Sequence, residues 1–169
     1  MEEVILVDEN DNAIGKMEKM EAHRRGALHR AFSILIFNSQ GQLLLQKRSW
    51  KKYHSGGLWT NTCCSHPHPD EDIEKALRRK LMQEMGIDVK PVFSHKFIYK
   101  AELENNLTEH EYDYVYIGRY DGEPEINRDE VDEWRFEDMS KLKAAVAERP
   151  QEFTYWFRLI LNHPELKAA

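Results

Sequence analysis

The 169-residue chain has no long apolar run, no internal repeat, no low-complexity tract and no Pro/Gly/Ser-rich linker, and only two of its residues are cysteine. Each absence excludes something. The uninterrupted apolar stretches are short pieces such as residues 34–37 and 43–45, far below the roughly 18 residues a membrane-spanning helix needs, so no membrane partner is expected. The start Met1-Glu2-Glu3-Val4 runs to Asp8 without the basic region and apolar core of a secretory signal, which makes the cytoplasm the expected location. Cys63 and Cys64 are neighbours, and adjacent residues rarely reach disulfide geometry, so both are read as reduced thiols. With no linker to divide it, the chain reads as one domain over residues 1–169.

There is also no excess of positive charge. Lys and Arg number 24 against 30 Asp and Glu, a formal net charge of −6, which argues against a general nucleic-acid binder and leaves room for a local basic cluster. Hydrophobic residues at 41% and charged residues at 32% describe a globular protein. A chain of this length buries about 70% of its unfolded surface and needs no covalent staples.

Residues 3–7 form a short apolar run ending in a turn at residues 8–12, a strand signal. Residues 16–22 suggest a short helix broken at Gly26. The apolar runs 31–37 and 43–46 flank a turn at 38–42, which predicts a hairpin. From Asp70, a candidate cap, the period changes: Ile73, Ala76, Leu77 and Leu81 are three and four apart, and Gly86 follows the end, so a helix is expected. Clusters at 92–93, 97–99 and 112–117 read as strands separated by a polar loop at 102–108. Helical patterns return at 140–147 and 152–161, parted by Pro150. The expected fold class is α+β, a mixed sheet with flanking helices.

Three clusters carry chemistry. In Thr60-Asn61-Thr62-Cys63-Cys64-Ser65-His66-Pro67 a thiol stands two residues from an imidazole, two groups able to serve a metal or a proton transfer; a buried cysteine and a capping histidine would explain it equally. In Glu109-His110-Glu111, on an expected strand, the two carboxylates share one face while His110 points away. Like charges so placed repel unless a cation lies between them or one keeps its proton, although a solvated strand face is the commoner cause of a single Glu-x-Glu. His23 and His29 flank Gly26. Together the three His and two Glu would suit an octahedral divalent ion such as Mn²⁺ or Mg²⁺, with Zn²⁺ also compatible.

The helix after Asp70 also fits the spacing of the Nudix box, G-x5-E-x7-R-E-U-x-E-E-x-G-U with U apolar. Here the positions are Ser65, Glu71, Arg79, Lys80, Leu81, Gln83, Glu84, Gly86 and Ile87. The spacing holds, but Ser65, Lys80 and Gln83 replace the first Gly and two of the Glu, so little remains of the acidic cluster with which Nudix hydrolases hold cations. With the Cys-Ser-His run, Glu109-His110-Glu111-Tyr112-Asp113-Tyr114 and the late segment Phe153-Thr154-Tyr155-Trp156-Phe157, the sequence resembles the type I isopentenyl-diphosphate isomerases. That family shares the Nudix fold and shifts a double bond between isopentenyl and dimethylallyl diphosphate in isoprenoid biosynthesis.

The resemblance spans nearly the whole chain and implies roles position by position. Cys64 and Glu111 match the family's catalytic pair, Tyr99 a tyrosine beside the acid, and Trp156 the aromatic facing the hydrocarbon. His23, His29, His66, Glu109 and Glu111 match its metal ligands, for Mn²⁺, Zn²⁺ or Mg²⁺, and Glu84 the residue that helps hold Mg²⁺ on the diphosphate. Lys19, Arg48, Lys52 and Lys80 sit where the family places cations for that diphosphate. Two departures stand out: Ser55-Gly56-Gly57 where an aromatic, Pro and Gly are usual, which suggests a more flexible loop, and Lys80 where Arg is frequent. The expected partner is a small prenyl diphosphate, with no nucleic acid, and the chain is expected to be a monomer or weak dimer. The competing readings are a Nudix hydrolase of a nucleoside or prenyl diphosphate, disfavoured by the depleted box, and a non-catalytic metal-binding module, disfavoured by the meeting of Cys64, Glu111 and Trp156 in one family pattern.

Overall fold

The apolar runs of the sequence become strands of one mixed sheet in a computed structural model, which describes residues 1–166. The strands are β1 (Glu3–Val7), β2 (Ala13–Glu18), β3 (His29–Phe37), β4 (Leu43–Arg48), β5 (Trp59–Thr60), β6 (Cys63–Ser65), β7 (Val92–Glu102), β8 (Thr108–Arg119) and β9 (Val131–Glu137). The helices are α1 (Lys19–Arg25), α2 (Ile73–Met85), α3 (Met139–Glu148) and α4 (Tyr155–Leu161). None of the described helices is long and apolar enough to cross a membrane.

Strand β3 organises the sheet. It is buried along almost its whole length, as a strand covered on both faces must be. It runs parallel to β8 from His29 opposite Glu111 to Phe37 opposite Arg119, and β7 pairs antiparallel with the far edge of β8. Side chains alternate across this sheet, and two apolar layers result. Leu35, Phe37, Leu45 and Val115 pack against α3 and α4 through Leu142, Trp156, Phe157 and Ile160. Phe32, Ile34, Ile36 and Cys63 pack on the other side against Ala76, Leu77, Leu81 and Met85 of α2. Cys64 lies against the first layer, so the adjacent cysteines belong to opposite faces, and both thiols are free.

Several sequence expectations require correction. Residues 16–18 end strand β2, and the helix is α1, starting at Lys19 and closed by Gly26 at φ 65°, a left-handed conformation that favours glycine. The cap of α2 is Asp72, whose side chain accepts from Glu74 N, rather than Asp70. Residues 152–154 precede α4 as a 3₁₀ turn (Pro150–Glu152) and the cap Thr154. Strand β9 falls in a stretch for which no element was expected.

The predicted hairpin forms at a single pair, Phe37 opposite Leu43. Beyond it the strands splay, and the segment Thr60-Asn61-Thr62 enters the gap. Thr62 Oγ1 accepts from Ile36 N at 2.9 Å and donates to Leu44 O at 2.6 Å. Asn61 Nδ2 donates to Ile34 O at 3.2 Å and Cys63 O at 2.9 Å. These fully buried polar side chains supply the bonds that a ladder between β3 and β4 would have made. Thr62→Val keeps the shape and leaves an N–H and a C=O unpaired; the expected cost is about 2 kcal/mol, a fall in melting temperature of roughly 4–8 °C, with Thr62→Ser close to the parent.

Candidate active site

Each histidine of the expected cluster is delivered by the end of a helix or a strand. His23 lies in the last turn of α1 and His29 opens β3. The helix turn lets His23 Nδ1 donate to Lys19 O at 2.7 Å, and the bend before β3 lets His29 Nδ1 donate to Ala27 O at 2.8 Å. Those bonds fix both tautomers, so each Nε2 presents its lone pair inward. Glu109 and Glu111 project from one face of β8, while His110 turns away to Gly26 O at 3.0 Å.

The Nε2 lone pairs of His23 and His29 meet carboxylates, and His66 Nε2 reaches one of the same carboxylates. His23 Nε2 is 3.3 Å from Glu109 Oε1, and His29 and His66 Nε2 are 3.2 and 2.9 Å from Glu111 Oε2. One donor atom from each of His23, His29, His66, Glu109 and Glu111 lies within 4.8 Å of all the others, and all five residues are buried. Acceptors facing acceptors repel unless positive charge sits among them. Glu109 Oε2 is buried without a hydrogen-bond partner, which a cation would correct. The imidazole and carboxylate donor set therefore fits a divalent ion. Positive charge is in demand even at the proton level: burial alone would depress His23, yet Glu109 lifts it to about 8. Glu109 is held well below the usual carboxylate range, against its burial, by the Glu111 carboxyl first and then by His23 and His54.

Beside this cluster opens a cavity of about 540 Å³. Its walls include Cys64, His66, Tyr99, Glu109, Glu111 and Trp156 as well as Lys19, Arg48, Lys52, Lys80 and Glu84. Tyr99 Oη donates to Glu111 Oε1 at 2.6 Å, and burial pushes its phenol well above the ordinary range. Burial pushes the Cys64 thiol up to about 12 despite the nearby Arg48 guanidinium, so the resting thiol holds its proton. Trp156 is almost fully covered, and the Arg48 guanidinium lies 5.2 Å from its ring centre.

Lys19, Lys52 and Lys80 on the cationic side of the cavity are already charge-paired. Lys19 Nζ meets Glu2 Oε2 at 2.8 Å, Lys80 Nζ meets Glu84 Oε2 at 3.3 Å, and Lys52 contacts Glu130 closely with Glu84 at 3.7 Å. Glu84 also accepts from Gln46 Nε2 at 2.9 Å. It thus stands with the lysines, outside the five-donor cluster. Glu71 and Arg79, two of the retained box residues, form a two-pronged ion pair with both N–H···O distances 2.8 Å, tying the loop before α2 to that helix.

A NUDIX domain matches residues 27–157. Isopentenyl-diphosphate Delta-isomerase 2 of Aromatoleum aromaticum is 48% identical, over 95% of this chain and 85% of that protein. The Photorhabdus laumondii protein of the same name is 50% identical, over 96% and 92%. The chain belongs to the type I isopentenyl-diphosphate Delta-isomerases of the Nudix superfamily. The fold of this isomerase-family chain is shared more widely: DR0079 from Deinococcus radiodurans superimposes with a TM-score of 0.73 at 22% identity, covering 87% of this chain and 90% of that one. A MutT NUDIX hydrolase from Burkholderia pseudomallei gives 0.64 at 21% identity, covering 81% and 98%.

The wall residues of this family member that sequence reasoning missed include three charged or titratable groups close to the site residues. Glu2 and Glu130 pair with the lysines, and no local motif announces a carboxylate that reaches its partner across the fold. The third, His54, lies in the loop expected to be flexible, and that loop is tied down: Gly57 N donates to Arg48 O at 2.8 Å and Arg48 N to Leu58 O at 2.9 Å. Gly57 sits at φ 77°, and a Cβ there would strike the Trp50 ring.

Proposed function

We propose that the protein interconverts isopentenyl and dimethylallyl diphosphate, with Cys64 and Glu111 as an opposed pair that gives and takes the proton. The observation that carries this reading is the opening of Cys64, the Tyr99–Glu111 pair and Trp156 into one cavity whose other wall bears Arg48, Lys52 and Lys80.

The chemistry matches those groups. Adding a proton to the terminal alkene carbon forms a C–H bond from the C=C pair and leaves a tertiary cation. Losing a proton from the carbon on the other side returns an electron pair as the new C=C, so the sum is a shifted double bond with no net proton. This requires an acid and a base on opposite sides of a small hydrocarbon. The protonated Cys64 thiol is one such group, and Glu111, oriented by Tyr99, is the other; because the reaction is reversible, each gives in one direction what it takes in the other. Trp156 offers a π face to the cation, worth about 2 kcal/mol when dry, and the covered cavity floor excludes the water that would trap it as an alcohol.

Lys19, Lys52 and Lys80 bind the diphosphate by exchanging their present carboxylate partners for phosphate oxygens, and Arg48, whose guanidinium has no carboxylate partner among the described residues, joins them. That remote binding orients a substrate with few handles of its own. When bound, a divalent ion on His23, His29, His66, Glu109 and Glu111 would neutralise the paired carboxylates, and Mg²⁺ beside Glu84 would neutralise the diphosphate. The test is product analysis: isopentenyl diphosphate incubated with the protein and Mg²⁺ or Mn²⁺ yields dimethylallyl diphosphate with both phosphates retained, whereas phosphate or pyrophosphate release without isomerisation would identify a hydrolase.

A further inference from the structure

His54 belongs to neither the donor cluster nor the cation wall, yet it is only 2% exposed. Its Nε2 lies 2.5 Å from Glu109 Oε1, off the line of an aligned hydrogen bond. Its Nδ1 is 3.0 Å from Ser55 Oγ. The ring packs against Tyr53 at 4.5 Å and meets Trp156 edge-on at 5.7 Å. Its carbonyl accepts from Arg48 Nη2 at 3.1 Å.

We propose that His54 is a positioning residue for Glu109, holding its carboxylate in place at the cation site. Glu109 Oε1 is bracketed by His23 Nε2 at 3.3 Å and His54 Nε2, while Oε2 is buried without a partner. With the Ser55 hydroxyl donating to Nδ1, the imidazole carries its hydrogen on Nε2 and offers it to Glu109. Restraint of that kind on a ligating carboxylate prevents rotation about its last bond, which would otherwise be lost on each binding event. The loop is built for the task. Ser55, directly after the histidine, takes φ 55° and donates its N–H to Glu104, and Gly57 closes the turn. The same loop carries Lys52 and is bonded back to Arg48 at the end of β4, so one loop sets both a cation-site carboxylate and two phosphate-facing cations.

The inference rests on the reading of the His/Glu cluster as a divalent-ion site, and its test separates the two. Mn²⁺ and Zn²⁺ affinities of the metal-stripped protein are measured by competition with a chromophoric chelator, for the parent, His54→Leu and His54→Gln. Leu fills the space without a donor, and Gln restores an N–H toward the carboxylate. The expected result is a parent that binds, a Leu variant weakened roughly 10- to 100-fold and a Gln variant that recovers most of the loss, with similar melting temperatures for the metal-free forms. A Leu variant that binds within about twofold of the parent overturns the role of His54 alone. A parent that binds neither ion overturns the cluster reading and this proposal with it. Should the Leu variant melt early, the Gln variant decides: near-parental affinity supports the role, and a loss equal to that of Leu contradicts it.

Discussion

Cys64→Ala and Glu111→Gln each lower turnover by roughly 10²–10⁴-fold, the range over which a positioned acid or base acts, and leave the fold intact. The structural half follows from where the side chains lie. Cys64 is only partly covered by apolar neighbours at the layer edge, and Ala removes one atom. Gln keeps the shape of Glu111 and an acceptor for Tyr99 Oη, 2.6 Å away in the parent, while losing the ability to take or hold a proton at that point. Cys63 supplies the control. Its thiol lies on the opposite face, 3.7 Å from Glu84 Oε1, so Cys63→Ala alters packing near α2 and retains far more turnover than Cys64→Ala. An inactive Cys63→Ala beside an active Cys64→Ala would reverse the assignment. Substrate affinity separates the roles further: the diphosphate contacts are untouched in both catalytic variants, so KM changes little while kcat collapses.

Removing divalent ions is expected to abolish turnover, and adding Mn²⁺, Zn²⁺ or Mg²⁺ in turn identifies which of them restores it. The buried carboxylates, Glu109 at 3% and Glu111 at 6% exposure, have three imidazoles turned toward them. Two buried anions without a cation are unfavourable, so a bound ion stabilises the folded protein as well as completing the site. At an ion concentration about 100 times its Kd, the gain is about 2.7 kcal/mol, which raises the melting temperature by roughly 5–10 °C for a protein of this size. Glu109→Gln together with Glu111→Gln removes the demand for charge, and the metal-dependent rise in melting temperature should vanish in that double variant. An unchanged rise would place the ion elsewhere.

The parts of the site legible in the sequence were those set by local geometry. The period of two along β8 put Glu109 and Glu111 on one face with His110 opposite, and the helical spacing of Ile73 to Leu81 located α2. What escaped depends on segments distant in the chain. The apolar runs of β3 and β4 look like a hairpin because nothing in them reveals that Thr60-Asn61-Thr62 will occupy the space between. Strand β9 hides its alternation: Trp134 and Phe136 are two apart, but the register shifts at Lys47 and Arg48 of β4, so Val131 falls out of phase. Asp72 took the capping place of Asp70 because either side chain suits an N-cap and only the entry angle of the chain decides. His54 gave no spacing signal at all, since a turn rather than a helix or strand carries it inward.

The central claim is that proton transfer at carbon, and not attack on phosphorus, is the chemistry of this cavity. It is tested most directly by following isopentenyl diphosphate with the metal-loaded protein in D₂O by ¹H and ³¹P NMR. The account predicts equilibration with dimethylallyl diphosphate, deuterium entering the carbons that exchange protons, both phosphorus signals retained, and exchange slowed by roughly 10²–10⁴-fold in Cys64→Ala. Release of inorganic phosphate or pyrophosphate with no deuterium on carbon would contradict it.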